Sequence, residues 1–363
     1  MIYLDSAAMS RPLPAALDAF RTAPFGNPSS EHEIGQNARN ALEHAREKIA
    51  ELMDCEPDEI VFTATATEAA AFATRSLSSL PKALLNLEAK YENFERFHWF
   101  ISPYEHHAIS ENLNALYSGP EYGEPIGGNI YIQMLAQNEV GELFSPPKRN
   151  QDDVWLCDAT AAVGHVPVSF KILECDYLIA DALKFGGVPG AAFLIAKKGT
   201  PLSPLIRGGG QERGMRSGTE NVPAICAMAA ALAWQVEHMD ENHEKLEQTE
   251  EYLYDTLSEI PGHKWNTDFT NPHLPHILNI SFIGVDAHAL ALLLSKDGVM
   301  VSPGAACSNG LHEPSHVIMA MFHDEDRARS AIRISFSHEN TIEEIRIAAE
   351  KIKDAVAYLR SVA

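Results

Sequence analysis

The chain has 363 residues, 45% hydrophobic and 21% charged, with 50 acidic against 28 basic side chains and a formal net charge of −22. That length can bury a large core and predicts one large and one smaller domain. The acidic balance argues against direct binding to nucleic acid or to an anionic membrane, and no apolar run approaches the ~20 residues needed to span a bilayer.

The opening residues, MIYLDSAAMSRP, lack the basic and long apolar regions of a signal peptide, so the expected location is cytoplasmic. Residues 2–4 predict a short strand, followed by the small-residue turn Asp5-Ser6-Ala7-Ala8. Residues 12–21 predict a short helix, and 25–32 a loop. Over 33–53, Ile34, Ala38, Ala41, Leu42, Ala45, Ile49 and Leu52 share one stripe at helical spacing. Residues 59–62 predict a strand that runs into Thr63-Ala64-Thr65-Ala66-Thr67-Glu68 and then an Ala-rich helix. Free N–H groups and the helix dipole favour an anion at such a start. Thr65 or Thr67 would add a hydroxyl bond to that anion or serve only as a helix cap.

Short apolar runs follow at 83–87, 130–135, 154–157, 177–180 and 191–195. Separated by loops, they predict a mostly parallel central sheet. The runs at 154–157 and 177–180 are too short for helices and read as buried parallel strands. The first delivers Asp158. The second leads through Asp181-Ala182-Leu183 to Lys184 and the Gly-rich segment 185–190. Ligands of open α/β sheets bind beyond the carboxyl ends of strands, so an acid and a lysine are expected in one crevice. A lysine that can take a carbonyl and a carboxylate that can face a pyridine nitrogen suit pyridoxal 5'-phosphate (PLP). The stretch alone fits equally a surface lysine and a capping aspartate.

Residues 207–221, RGGGQERGMRSGTEN, predict a polar Gly/Arg loop. Apolar helix 222–239 and very polar helix 240–258, a candidate connector, come next. The last hundred residues predict an α+β unit, with strands at 277–282, 299–302 and 332–336 and helices at 287–294 and 341–363. No internal repeat or low-complexity tract is present. The five cysteines are scattered, without CxxC spacing, and predict neither disulfides nor a zinc site. Cys55, Cys157, Cys175 and Cys226 read as small core residues. Cys307 lies instead in the small, polar stretch Gly304-Ala305-Ala306-Cys307-Ser308-Asn309-Gly310.

Several stretches, in order, resemble the NifS-like cysteine desulfurases of the class V aminotransferase family. They are YLDSAA at 3–8, GNPSS at 26–30, VFTATATE at 61–68, EHHA at 105–108, QNEVG at 137–141, CDAT at 157–160, GGGQERGMRSGTEN at 208–221, NISF at 279–282, PGAACS at 303–308, EPSHV at 313–317 and IRISFS at 332–337. The Gly/Arg run is the most specific. The resemblance implies an α/β PLP-dependent transferase of fold type I. Its large domain has a mostly parallel sheet flanked by helices and is expected over 13–255. A smaller α+β domain is expected from 1–12 and 256–363.

The resemblance further implies a homodimer that acts on L-cysteine and hands sulfur to an acceptor protein, for iron–sulfur clusters or thio-modification. Lys184 is similar to the lysine that binds PLP, and Asp158 to the partner of the pyridine nitrogen. His106 resembles the imidazole stacked on the ring that moves protons. Asn138 resembles the residue beside the ring hydroxyl or the substrate. Ala66 and Thr67 are similar to phosphate ligands, and Thr219 to the residue that reaches the neighbouring subunit's phosphate. Arg333 resembles the arginine for the substrate α-carboxylate, which a guanidinium fork suits, and Asn27 lies near that site. Cys307 occupies the nucleophile position. A thiol of ordinary pKa near 8.5 is already partly thiolate at neutrality.

The chain departs from the family pattern around the cofactor. Asp181-Ala182-Leu183 replaces the usual Ser-Gly-His before the lysine, and an aspartate there repels a phosphate dianion unless it turns away. Ala161 replaces a glutamine, Gln211 a histidine and Thr65 a glycine. Because the lysine, aspartate and nucleophile remain, the pattern reads as a divergent enzyme. The alternatives are another class V PLP enzyme (selenocysteine or cystine lyase, or aminotransferase), or a fold kept for partner binding. Cys307 in its loop speaks against the first, and the intact Lys184, Asp158 and His106 against the second.

Overall fold

The computed structural model describes residues 1–78, 98–116, 128–304 and 313–362. Among the described residues, eleven strands run in chain order: β1 (Ile2–Tyr3), β2 (Ile60–Thr63), β3 (His98–Ile101), β4 (Asn129–Ile132), β5 (Val154–Asp158), β6 (Tyr177–Asp181), β7 (Ala192–Ala196), β8 (His263–Trp265), β9 (Ile277–Phe282), β10 (Val299–Met300) and β11 (Ala331–Ser335). The described residues divide into two compact units.

One unit comprises Arg11–Leu135 and Ser145–Glu237. Its sheet has the order β2-β7-β6-β5-β4-β3. Strands β3 to β6 are parallel, while β7 runs antiparallel to both β2 and β6. The sheet is thus mostly parallel, as expected. Alternate residues face opposite sides. Phe62, Cys157, Leu178, Ala180 and Phe193 pack on one face with Leu42 and Ile49 of helix Glu33–Met53 and with Ile225 and Leu232 of helix Val222–Glu237. Val61, Leu156, Ile179 and Leu194 pack on the other with Phe72 and Leu77 of helix Ala66–Ser78 and Ile109 of helix His107–Leu116. Burial on both faces is why β5 and β6 are written as unbroken apolar runs. The strand β3, mostly exposed at the sheet edge, lacks such a run and was not expected from the pattern. The strand expected at 83–87 lies outside the described residues.

The other unit comprises Met1–Ser10, Ala136–Phe144 and His238–Ala363. It holds the antiparallel sheet β11-β9-β8 and the parallel pair β1-β10. Helix Met239–Ser258, the candidate connector, buries Leu246, Leu253 and Leu257 in this unit's core beside Leu290 and Ile352. Cys157 and Cys175 are buried in the first unit's core, and Cys55 and Cys226 are half-buried against it. No helix among the described residues is long and apolar enough to cross a membrane.

Candidate active site

In the first unit, β2, β4, β5 and β6 all end at one edge of the sheet, since each is parallel to the next or separated by the single reversed strand β7. Asp158 is the last residue of β5 and Asp181 the last of β6. A 3-10 turn, Ala182–Lys184, follows directly and presents Lys184 half-buried at that edge. His165 Nε2 donates to the Lys184 carbonyl at 3.0 Å and fixes the turn from behind. Gly186 has φ +85°, and a Cβ there would stand 2.6 Å from Leu13 Cγ, so the chain beyond the lysine needs glycine.

Asp158 is buried, and its Oδ1 accepts from Thr160 N at 2.9 Å. The Thr160 hydroxyl is buried with no hydrogen-bond partner among the described residues. Glu105 is also buried, and its Oε1 accepts from Met134 N at 2.7 Å. Burial, and then the charge of Asp158, push the Glu105 carboxyl up to about 8, against the pull of the Met134 N–H. His106 Nδ1 accepts from Ala108 N at 3.0 Å at the start of helix His107–Leu116. A neutral imidazole there carries its proton on Nε2.

Thr65, not Thr67, caps helix Ala66–Ser78: its Oγ1 accepts from Glu68 N at 3.1 Å, which bears out the capping reading for Thr65. Thr67 is exposed in the first turn. Ala66 N donates to Asp181 Oδ2 at 2.7 Å, and Asp181 Oδ1 accepts from Leu183 N at 3.2 Å. The Asp181 carboxylate therefore turns toward the helix start, not away from it. Burial raises its pKa; the Ala66 and Leu183 N–H bonds and Lys184 oppose the rise, and Asp158 adds to it.

The Gly/Arg loop is anchored by carboxylates. Arg216 binds Glu68 through two bonds of 2.7 and 3.1 Å. Glu212 forms a buried pair with Arg46 (2.7 and 3.0 Å) and accepts from Phe62 N at 2.9 Å. Thr219 and Asn27 are exposed, and Asn27 Oδ1 closes its own loop by accepting from Ser29 N at 2.9 Å.

In the second unit, Arg333 of β11 is 2% exposed. Its Nη1 donates to the Asn138 carbonyl and its Nη2 to Asp5 Oδ1, both at 2.9 Å. Its Nε is buried with no hydrogen-bond partner among the described residues. The QNEVG segment is laced into this unit. Gln137 Oε1 accepts from Glu139 N and from Val140 N, and Glu139 Oε2 accepts from Ser315 Oγ at 2.6 Å. A Cβ on Gly304 would lie 3.4 Å from Ser315 Cβ, so the two described chain segments meet there. Cys307 itself lies outside the described residues.

Lys184, Asp158, His106, Ala66 and Thr67 thus belong to the first unit, with Asn27 and Thr219, and Asn138 and Arg333 to the second. Sequence reasoning assigned no role to Glu105, although EHHA places it beside His106, nor to Asp5 in YLDSAA. The residue types fit PLP at its aldehyde and ring-nitrogen ends, through the Lys184 amine and the Asp158 carboxylate, with the orphaned Thr160 hydroxyl beside the latter. No group of His, Cys, Asp and Glu among the described residues is arranged to hold a metal ion.

This fold and this sheet edge are those of a known class. The model of the family "Aminotransferase class-V" matches residues 2–109 and 136–347. A cysteine desulfurase from Enterobacter agglomerans is 33% identical, covering 99% of this chain and 94% of its own. The cysteine desulfurase NifS of Azotobacter vinelandii is 31% identical, again covering 99% and 94%. The solved structure of a NifS-like protein superposes with a TM-score of 0.85 at 31% identity, covering 99% of this chain and all of that one. The chain belongs to the class V aminotransferase family, and within it to the NifS-like group.

Proposed function

We propose that the chain is a PLP-dependent cysteine desulfurase, converting L-cysteine to L-alanine and holding the sulfur as a persulfide on Cys307. The observation that carries this reading is the delivery of Asp158 and Lys184 to one sheet edge by the adjacent parallel strands β5 and β6. PLP supplies an electron sink for the bonds around the substrate Cα. Lys184 would hold its aldehyde carbon, and Asp158 would face its ring nitrogen. His106, with its proton on Nε2, would stack on the ring and move protons, and Asn138 would serve the ring hydroxyl or the substrate. Arg333 would orient the substrate α-carboxylate, and Asn27 would serve the substrate. Thr67 and Ala66 would serve the phosphate, and Thr219 would reach that of a second subunit in a homodimer.

The Cys307 thiolate attacks the substrate sulfur. An S–S bond forms and the substrate C–S bond breaks. Its electron pair stays on carbon, which takes a proton to become the methyl group of alanine. The persulfide then passes to an acceptor protein for iron–sulfur cluster assembly or thio-modification, in the cytoplasm.

The test is a visible spectrum of the purified protein before and after L-cysteine, with alanine and sulfide assayed in the same tube. A yellow protein whose band shifts while both products appear supports the desulfurase. A protein that stays colourless with added PLP overturns it in favour of a binding role.

A further inference from the structure

The start of helix Ala66–Ser78 is the place where this sheet edge would take the phosphate of PLP, and it already holds a carboxylate. Thr63 ends β2 and Asp181 ends β6, and both register on Ala192 of the strand between them. The two strand ends are therefore about 10 Å apart, two strand spacings. The helix begins three residues beyond Thr63, and its Ala66 N–H reaches the Asp181 carboxylate at 2.7 Å. The same carboxylate caps the turn that carries Lys184. Asp181 is 4% exposed, so water does little to screen it. Two residues back, Ala64 N is taken by Glu68 Oε2, itself paired with Arg216. The charged groups that act on Asp181 are Lys184 on its own turn, attractive, and Asp158 on β5, repulsive.

A phosphate arriving here meets a buried carboxylate at the amide it needs. Two anions sharing one donor in a low-dielectric site are strongly unfavourable, and one proton between them removes the conflict. We propose that Asp181 gates cofactor uptake: PLP binds with one proton taken up at Asp181, whose carboxyl then donates to the phosphate, so that affinity for PLP falls as pH rises. The burial that raises the Asp181 pKa acts in the same direction. The proposal rests on the PLP reading above.

The experiment is a titration of the wild-type protein, of Asp181→Ser and of Asp181→Asn with PLP between pH 6 and pH 8.5, read by the visible band and by tryptophan fluorescence. Pyridoxal, which lacks the phosphate, is the control. In the wild type, the Kd for PLP should rise with pH by up to about tenfold per unit, the limit for one linked proton. Asp181→Ser should bind PLP at least tenfold more tightly at pH 8, with most of the pH dependence gone. Asp181→Asn should also lose the pH dependence, and pyridoxal should show neither effect. Equal PLP affinity in all three proteins, or an equal gain for pyridoxal, overturns the Asp181 proposal and leaves the PLP reading intact. If neither PLP nor pyridoxal binds any of the three, both fall.

Discussion

The buried pair Arg46–Glu212 gives the sharpest stability test, because its geometry predicts opposite results for one substitution and for two. The side chains are 3% and 2% exposed and joined by bonds of 2.7 and 3.0 Å. Glu212 Oε2 also accepts from the buried Phe62 N–H, and the Arg46 guanidinium lies 4.5 Å from the Phe62 ring centroid. Glu212→Ala strands a buried guanidinium with only the half-exposed Glu43 and the Ile60 carbonyl as partners, and leaves the Phe62 N–H unmet. Removing one member of a buried pair costs roughly 3–5 kcal/mol. Removing both charges, as in Arg46→Met with Glu212→Leu, restores most of that loss, because the desolvation cost disappears with them. Urea unfolding followed by circular dichroism, with both variants compared to wild type, measures the two numbers. A Glu212→Ala cost below about 1 kcal/mol, or a double variant as unstable as the single, would refute this account of the pair.

Four further outcomes are expected. Lys184→Ala should lose the visible PLP band and all sulfide release; a retained band moves the PLP lysine elsewhere. Cys307→Ala should keep the band but release no sulfide, and normal sulfide output places the nucleophile elsewhere. Asp5→Asn weakens the charged bond that orients Arg333, worth about 1.5–3 kcal/mol, so KM for L-cysteine should rise tenfold or more with kcat largely kept; a fall in kcat alone would contradict this. The Glu105 carboxyl, ordinarily near 4.5, is held near 8 in the folded chain. The folded state therefore keeps a proton that the unfolded chain has lost, and stability drains away as pH climbs from about 4.5 to about 8. Glu105→Gln should gain on wild type by up to ~1.4 kcal/mol per pH unit across that window, measured by urea midpoints at pH 5, 6, 7 and 8; parallel curves would refute it.

What the sequence disclosed followed from local pattern. The strands β5 and β6 were legible because both of their faces are buried, which leaves uninterrupted apolar runs, and helix Glu33–Met53 because its stripe repeats at helical spacing. The exposed edge strand β3 had no such signature. The long motifs were legible as resemblance, but their internal work was not. Glu212 meets a partner 166 residues away, Arg216 one 148 residues away and Glu139 one 176 residues away. No spacing rule encodes such pairs. Much of QNEVG and GGGQERGMRSGTEN thus proves to be scaffolding that shapes loops, with few positions left over for chemistry. The orientation of Asp181 belongs to the same class: position predicted conflict with a phosphate, and only the fold shows its carboxylate on the Ala66 amide.

Three acids, Glu105, Asp158 and Asp181, crowd the sheet edge that offers Lys184, and their different partners separate their roles. Glu105 is the most deeply desolvated of the three and has the Asp158 charge beside it, so it rests neutral at pH 7. A neutral Glu105 leaves Asp158 free of one like charge, which suits the proposed pairing of Asp158 with a protonated ring nitrogen. Asp181 differs because two backbone N–H groups and Lys184 support its charged form while burial and Asp158 oppose it. Glu105 therefore has little reason to ionise, whereas at Asp181 the groups that favour the charge work against the burial that raises its pKa. A phosphate that competes for the Ala66 N–H removes one of the supports of the charged form and adds a second negative charge, and both changes push the proton onto Asp181.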